Sequence, residues 1–154
     1  MKIAELKTMA VRYLHRREHS AAELAVKLQQ KGADATSAQE VILYCQEQGW
    51  QSDKRFTSMW LRNAYAKGHG LYKAQQQLQT LHQIEAHLID QVAAELDLDW
   101  LALAQQVMQK KFKQISLSDP TLQRKVYQFL YQRGFNAETI HQAFHISDHM
   151  SCEP

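Results

Sequence analysis

The residues that could do chemistry fall into three groups. His141, His145 and His149 recur every four positions, so on one continuous helix their imidazoles would share a face and could hold a divalent metal. Ser147 and Asp148 are expected to fray that helix, so no metal site is assigned. Lys67-Gly68-His69-Gly70 is rich in glycine, but it lacks the preceding strand, the further glycine and the Lys-Ser/Thr of a phosphate loop, and it reads as a turn between helices. The third group is basic: Arg16-Arg17, Lys54-Arg55, Lys110-Lys111-Lys113 and Arg124-Lys125, each beside an apolar helix face, together with Lys67 and Lys73. Such a broken positive stripe can meet phosphates or an acidic partner surface, although solvated helix surface explains many of these charges equally well. There is no nucleophile elbow and no zinc-protease helix motif, so the chain is read as a non-enzyme without a cofactor.

Helices must position these groups. The 154 residues include only five glycines and two prolines, 45% are hydrophobic and 22% are charged, which describes a chain that folds and favours long helices joined by short turns. A net charge of +2 is too small for a nucleic-acid packing protein, so any DNA contact must be local. Cys45 and Cys152 lack metal-type spacing, and the first residues lack the apolar run of a signal peptide. A reducing, cytoplasmic setting with no membrane segment is therefore expected.

Apolar residues recur at spacings of three and four along successive segments. Ile3, Leu6, Ala10, Tyr13 and Leu14 form the first stripe. Ser20 and Glu23 then form a capping box ahead of Leu24 and Leu28, with Gly32 as the stop. Ala38, Val41, Ile42 and Cys45 follow, ending at Gly49, and Trp50 is expected to staple two modules. The stripes of the second module are Phe56, Met59, Trp60 and Ala64; Leu71, Ala74, Leu78 and Leu81; and Leu88, Val92 and Leu96. Those of the third are Leu101, Ala104, Met108 and Phe112; Leu122, Val126, Phe129 and Leu130; and Ile140 with Phe144. Most aromatics fall on these stripes, which favours core packing over base stacking.

Weak self-similarity supports this count. Arg17-Glu18-His19-Ser20 ahead of Leu28 parallels Lys67-Gly68-His69-Gly70 ahead of Leu78, and Leu28-x-x-Lys31-Gly32 parallels Leu130-x-x-Arg133-Gly134. The expected fold is all-α: three tandem three-helix repeats at 1–50, 51–97 and 98–146 in a curved, elongated array, with a disordered tail at 147–154.

The motifs then become specific. Arg17-x-His19-Ser20-x-x-Glu23-Leu24-x-x-Lys27-Leu28-x-x-Lys31-Gly32, Gly49-Trp50-x-Ser52-Asp53-x-Arg55-Phe56 and Lys67-Gly68-x-Gly70 resemble the signature of the RecX regulatory proteins. Lys125-Val126-x-x-Phe129-Leu130-x-x-Arg133-Gly134-Phe135 resembles that family's C-terminal repeat. The chain departs from the pattern at Leu71, Gln75 and Gln77, where the family often carries proline, arginine and glutamate.

The resemblance implies a monomeric negative regulator that docks on the RecA filament on single-stranded DNA and inhibits its ATPase, strand-exchange and coprotease activities. It places Asp53, Arg55, Phe56, Lys67, Gly68, Gly70 and Lys73 near the contact surface. The alternative function is a stand-alone module binding single- or double-stranded DNA through the basic clusters.

Overall fold

The computed structural model describes the backbone of residues 1–113 and 118–151, with side chains as far as 145. Among the described residues there are nine α-helices and no strand: α1 (Ile3–Arg16), α2 (Ala21–Gln30), α3 (Ala35–Glu47), α4 (Asp53–Ala66), α5 (Leu71–Thr80), α6 (Ala86–Leu96), α7 (Trp100–Lys111), α8 (Pro120–Gln132) and α9 (Ala137–Ser151). The all-helical, three-helix-repeat reading holds.

Local chemistry accounts for the boundaries. α1 stops where Arg17 turns extended. The Ser20 hydroxyl accepts the Glu23 N–H at 3.0 Å, as a capping residue should. The other half of the expected box is replaced, because the Glu23 carboxylate takes the Arg17 guanidinium, at 3.0 and 2.6 Å, instead of reaching back to the cap. Asp34 caps α3 through the Ser37 N–H, Asp99 caps α7 through Ala102, and Asp119 caps α8 through Thr121, with Pro120 in the first turn. α2 closes on Gly32 at φ +110°, with the Ala33 N–H returning to the Leu28 carbonyl.

α1, α2 and α3 pack on one another around Leu6, Ala10, Leu24, Leu28, Ala38, Val41, Ile42 and Cys45, each almost entirely buried. α7, α8 and α9 do the same around Leu103, Ala104, Met108, Val126, Leu130, Phe135, Ile140 and Ala143. Each buried leucine or isoleucine contributes roughly 1.5–3 kcal/mol of transfer free energy.

The chain divides into two compact units, 1–59 with 77–94 and 60–76 with 95–154. Both α4 and α5 therefore begin in one unit and end in the other.

Three sequence expectations about packing change. Leu81 is 65% exposed, and Ile84 is buried in its place. The cause is a left-handed turn at Gln83, φ +54°, after which the Ile84 N–H bonds the Leu78 carbonyl and carries the next side chain inward. In α6 the buried residues are Ile89 and Val92, while Leu88 is half-buried. Trp50, expected to staple two modules, is 43% exposed and sets its ring edge-on to Tyr44 of α3 at 5.8 Å. α9 runs helically through Ser147 and Asp148 to Ser151, into the segment expected as a tail; residues 152–154 lie outside the described residues.

Candidate functional site

The residues that carry the family resemblance meet at two places, one in each unit. In the first unit they form a polar clasp around the start of α2. His19, only 2% exposed, sets Nδ1 3.0 Å from the Arg17 carbonyl and Nε2 2.8 Å from the Lys27 ammonium. A carbonyl only accepts and an ammonium only donates, so the ring is the neutral Nδ1–H tautomer. Burial pushes the His19 pKa down; the Arg17 carbonyl and Glu23 oppose this, and Arg17 and Lys27 add to it.

Ser20 Oγ also hydrogen-bonds His82 Nδ1 at 2.8 Å, and His82 lies against the Phe56 ring at a centroid distance of 4.5 Å. From the start of α4, Asp53 Oδ1 accepts the Ala21 N–H of α2 at 2.8 Å and the Gln51 amide at 3.0 Å. Gln51 also donates to the His19 carbonyl. Asp53 thus caps α2, a neighbour, while Ser52 accepts the Arg55 N–H at the head of its own helix. Arg55 Nε binds Glu18 at 2.9 Å, and one of its terminal nitrogens binds the Gly49 carbonyl at 2.8 Å.

In the second unit the turn after α4 docks on the turn after α8 through backbone alone. The Gly70 N–H donates to the Arg133 carbonyl at 2.8 Å, and the Lys73 N–H donates to the Gly134 carbonyl at 3.2 Å. A Cβ on Gly70 would overlap the Gly134 carbonyl, and one on Gly134 would overlap Lys73 Cβ. Both positions require the absence of a side chain.

That docking gathers Lys67 and Arg133 at the rim of a cleft of about 540 Å³, which Lys110 and Lys111 of α7 complete. Its lining includes Tyr65, Leu103, Val107 and Phe129, and among the described residues no carboxylate lines it. Arg133 and Lys111 sit 5.1 and 5.9 Å from the Phe129 ring centroid. Burial first, then Lys73, Arg133 and Lys67, push the nearby His69 imidazole pKa down.

The structure thus brings together Lys67, Lys110 and Lys111, with Lys73 half-buried close to the glycine contact. Arg17 and Arg55 are tied to Glu23 and Glu18 in the clasp. Arg16 and Lys54 are exposed at the end of α1 and the start of α4, and Arg124 and Lys125 are exposed on α8. Phe56, expected near a contact surface, is fully buried. Arg133 belongs to the basic group, yet in the sequence it stands out only as part of the repeat; its position before a Gly134 equivalent to Gly32 is the available signal. His141 and His145 share α9, His141 lying against Tyr127 at 5.8 Å, while the His149 side chain is outside the described residues.

Comparison with known proteins bears on this arrangement. The first three-helix domain of RecX matches residues 7–45, and the third matches 97–144. "Regulatory protein RecX" of Haemophilus influenzae (strain PittEE) is 33% identical over 129 residues, covering 83% of this chain and 85% of that protein. The chain belongs to the RecX family.

The RecX protein of Vibrio vulnificus (strain CMCP6) is 33% identical over 137 residues, covering 89% of each chain. That of Legionella pneumophila (strain Corby) is 36% identical over 135 residues, 88% of this chain and 89% of that one. A crystal structure of RecX from Lactobacillus salivarius superposes with a TM-score of 0.80 over 95% of this chain and 96% of that one, at 17% identity. The RecX fold therefore extends over nearly the whole chain. Within it, the family motif residues His19, Ser20, Asp53 and Arg55 build a clasp, and Gly70 and Gly134 build a backbone contact.

Proposed function

We propose that this RecX-family protein is a negative regulator of the RecA recombinase, which binds the RecA filament on single-stranded DNA and inhibits its ATPase, strand-exchange and coprotease activities. Membership of a family of regulatory proteins carries this reading. It is supported by the use of the motif residues as structural links, which leaves long helical surfaces for docking on a partner. The protein acts as a cytoplasmic monomer without a cofactor, in DNA repair and the SOS response, and the basic residues Arg16, Arg17, Lys54, Arg55, Lys67, Lys73, Lys110, Lys111, Arg124 and Lys125 supply its partner surface. Three repeats at 1–50, 51–97 and 98–146 present that surface.

The test is the single-stranded-DNA-dependent ATPase of the cognate RecA, titrated with this protein. Inhibition at ratios far too low to coat the DNA supports the reading, and unchanged ATPase at every ratio overturns it. The basic cleft favours a second reading, a stand-alone DNA-binding module. That reading predicts inhibition only when the protein saturates the DNA, with affinity falling steeply as salt rises.

A further inference from the structure

The second helices of the three repeats are α2, α5 and α8, and the residue before one of them meets the turn after the next. Ser20, before α2, bonds His82, after α5. Gly70, before α5, gives its N–H to the Arg133 carbonyl, after α8. Two such links join three helices. The turn after α2 and the residue before α8 are therefore left over, one turn and one helix head.

The turn after α2 is built like the one that Gly70 covers. Gly32 has φ +110° and Gly134 φ +102°. Their N–H groups each return at 3.0 Å to the carbonyl three residues back, and the Ala33 and Phe135 N–H groups return at 3.1 Å to the Leu28 and Leu130 carbonyls. The surroundings differ. A Cβ on Gly134 would overlap Lys73 Cβ, whereas one on Gly32 would meet nothing within 4 Å. Among the described residues no N–H reaches the Lys31 or Gly32 carbonyl, while Arg133 and Gly134 take those of Gly70 and Lys73. The positive φ alone accounts for glycine at 32. The repeat adds what belongs on such a turn, which is the head of a second helix.

The head left over is that of α8. Among the described residues Asp119 is exposed and bonds only Thr121 and Gln123 of its own helix. α8 has thirteen residues against ten for α2 and α5, so its head stands about 4.5 Å farther from the following turn. Asp119 carries a side chain, so it cannot repeat the bare-backbone contact of Gly70; like Ser20 it links through that side chain. The charges suit this. The turn carries exposed Lys31 followed by exposed Asp34, and the head carries exposed Asp119 followed by exposed Arg124, the opposite order. We propose that the turn after α2 of one copy receives the α8 head of a second copy, with the Lys31 ammonium on the Asp119 carboxylate. The two surfaces are different, so each copy that joins leaves one turn and one head open, and copies add head to tail. One turn on one helix head is far below the roughly 1,200 Å² of a standard interface, so the dilute protein stays monomeric and copies join where they are concentrated. The contact goes beyond regulation of RecA, and the assay contains no RecA, so its outcome is independent of the ATPase titration.

The experiment is small-angle X-ray scattering of the full chain, of its Lys31→Glu variant, of its Asp119→Lys variant and of an equimolar mixture of the two variants, each over a concentration series. The apparent mass of the wild type is expected to rise by about half or more as the protein approaches about 1 mM, the range of a weak contact. Each variant alone is expected to stay at the monomer mass, because like charges then face each other. The mixture is expected to regain the rise, since the reversed charge of one variant meets the reversed charge of the other. Asp119→Lys also removes the α8 cap, and recovery in the mixture separates the contact from that loss. A wild-type mass that stays at the monomer value overturns the proposal. So does a rise undiminished in both variants, or a mixture that remains monomeric.

Discussion

Ser20 and His82 are 62 positions apart in sequence and 2.8 Å apart in space. Ser20 precedes α2 and His82 follows α5. Gly70, which precedes α5, meets Gly134, which follows α8, in the same way, with the Gly70 N–H on the Arg133 carbonyl. The head of one module's second helix thus engages the tail of the next module's second helix. In the first unit the link is a hydroxyl and an imidazole; in the second it is bare backbone, which is why glycine occupies both sides.

Ser20→Ala removes both the cap of α2 and the partner of a buried imidazole. The expected loss is about 2 kcal/mol in urea unfolding, combining roughly 1 kcal/mol for the cap with the cost of an unsatisfied buried polar group. Asp34→Ala, at an exposed cap, is expected to lose less. Equal losses would show that the His82 bond contributes nothing.

Gly134→Ala forces a side chain into φ +102° and against Lys73. Strain and overpacking together are expected to lower stability by about 2–4 kcal/mol. Gly32→Ala, at φ +110° with open space around the added Cβ, incurs strain alone and is expected to cost less. Denaturant midpoints of the two variants distinguish close approach from backbone conformation.

His19 and His82 are held below the ordinary histidine pKa of about 6.5, in each case chiefly by burial. Above that value both are neutral in the folded and unfolded chains, so no stability depends on their protons. As pH falls below about 6.5 the unfolded chain takes up protons that the folded chain resists, and stability declines until the lowered folded-state values are passed. The urea midpoint is expected to be flat from about pH 8 to 7 and to fall towards about pH 5. The slope should be shallower in His82→Gln; an unchanged slope would exclude His82 as a source.

Phe56 packs its ring on His82 with no exposed surface. Phe56→Ala is expected to cost about 3–5 kcal/mol, the range for a large buried aromatic. Leu81→Ala, on a side chain that is 65% exposed, is expected to change stability by less than about 0.5 kcal/mol. Thermal melts of Leu81→Ala beside Ile84→Ala test the exchange of Leu81 for Ile84 in the core, the Ile84 variant being the one expected to lose stability.

The helical period, the cap at Ser20 and the stop at Gly32 were legible in the sequence, because each depends on residues close to one another along the chain; the caps at Asp34, Asp99 and Asp119 are just as local, and the structure added them. The repeat itself was visible at His19-Ser20 and His69-Gly70 because both precede a second helix. Tertiary structure alone decided where those positions dock. Asp53 caps α2 from 32 residues away, and Arg55 reaches back 37 residues to Glu18. A local reading assigns Asp53 to its own helix, since capping chemistry is the same whichever helix supplies the N–H.

The cleft has the same origin. Lys67, Lys110 and Arg133 lie in three separate parts of the sequence, and each on its own is ordinary helix surface. They become one site because the second unit brings three helix ends together, aided by the close approach of Gly70 and Gly134. Leu81 and Ile84 exchange places because a single left-handed residue, Gln83, redirects the chain, which periodicity within one helix cannot register. Sequence determined the helices and their caps through short-range hydrogen bonds and spacing; the fold decided the site, because contacts across tens of residues depend on where whole helices pack.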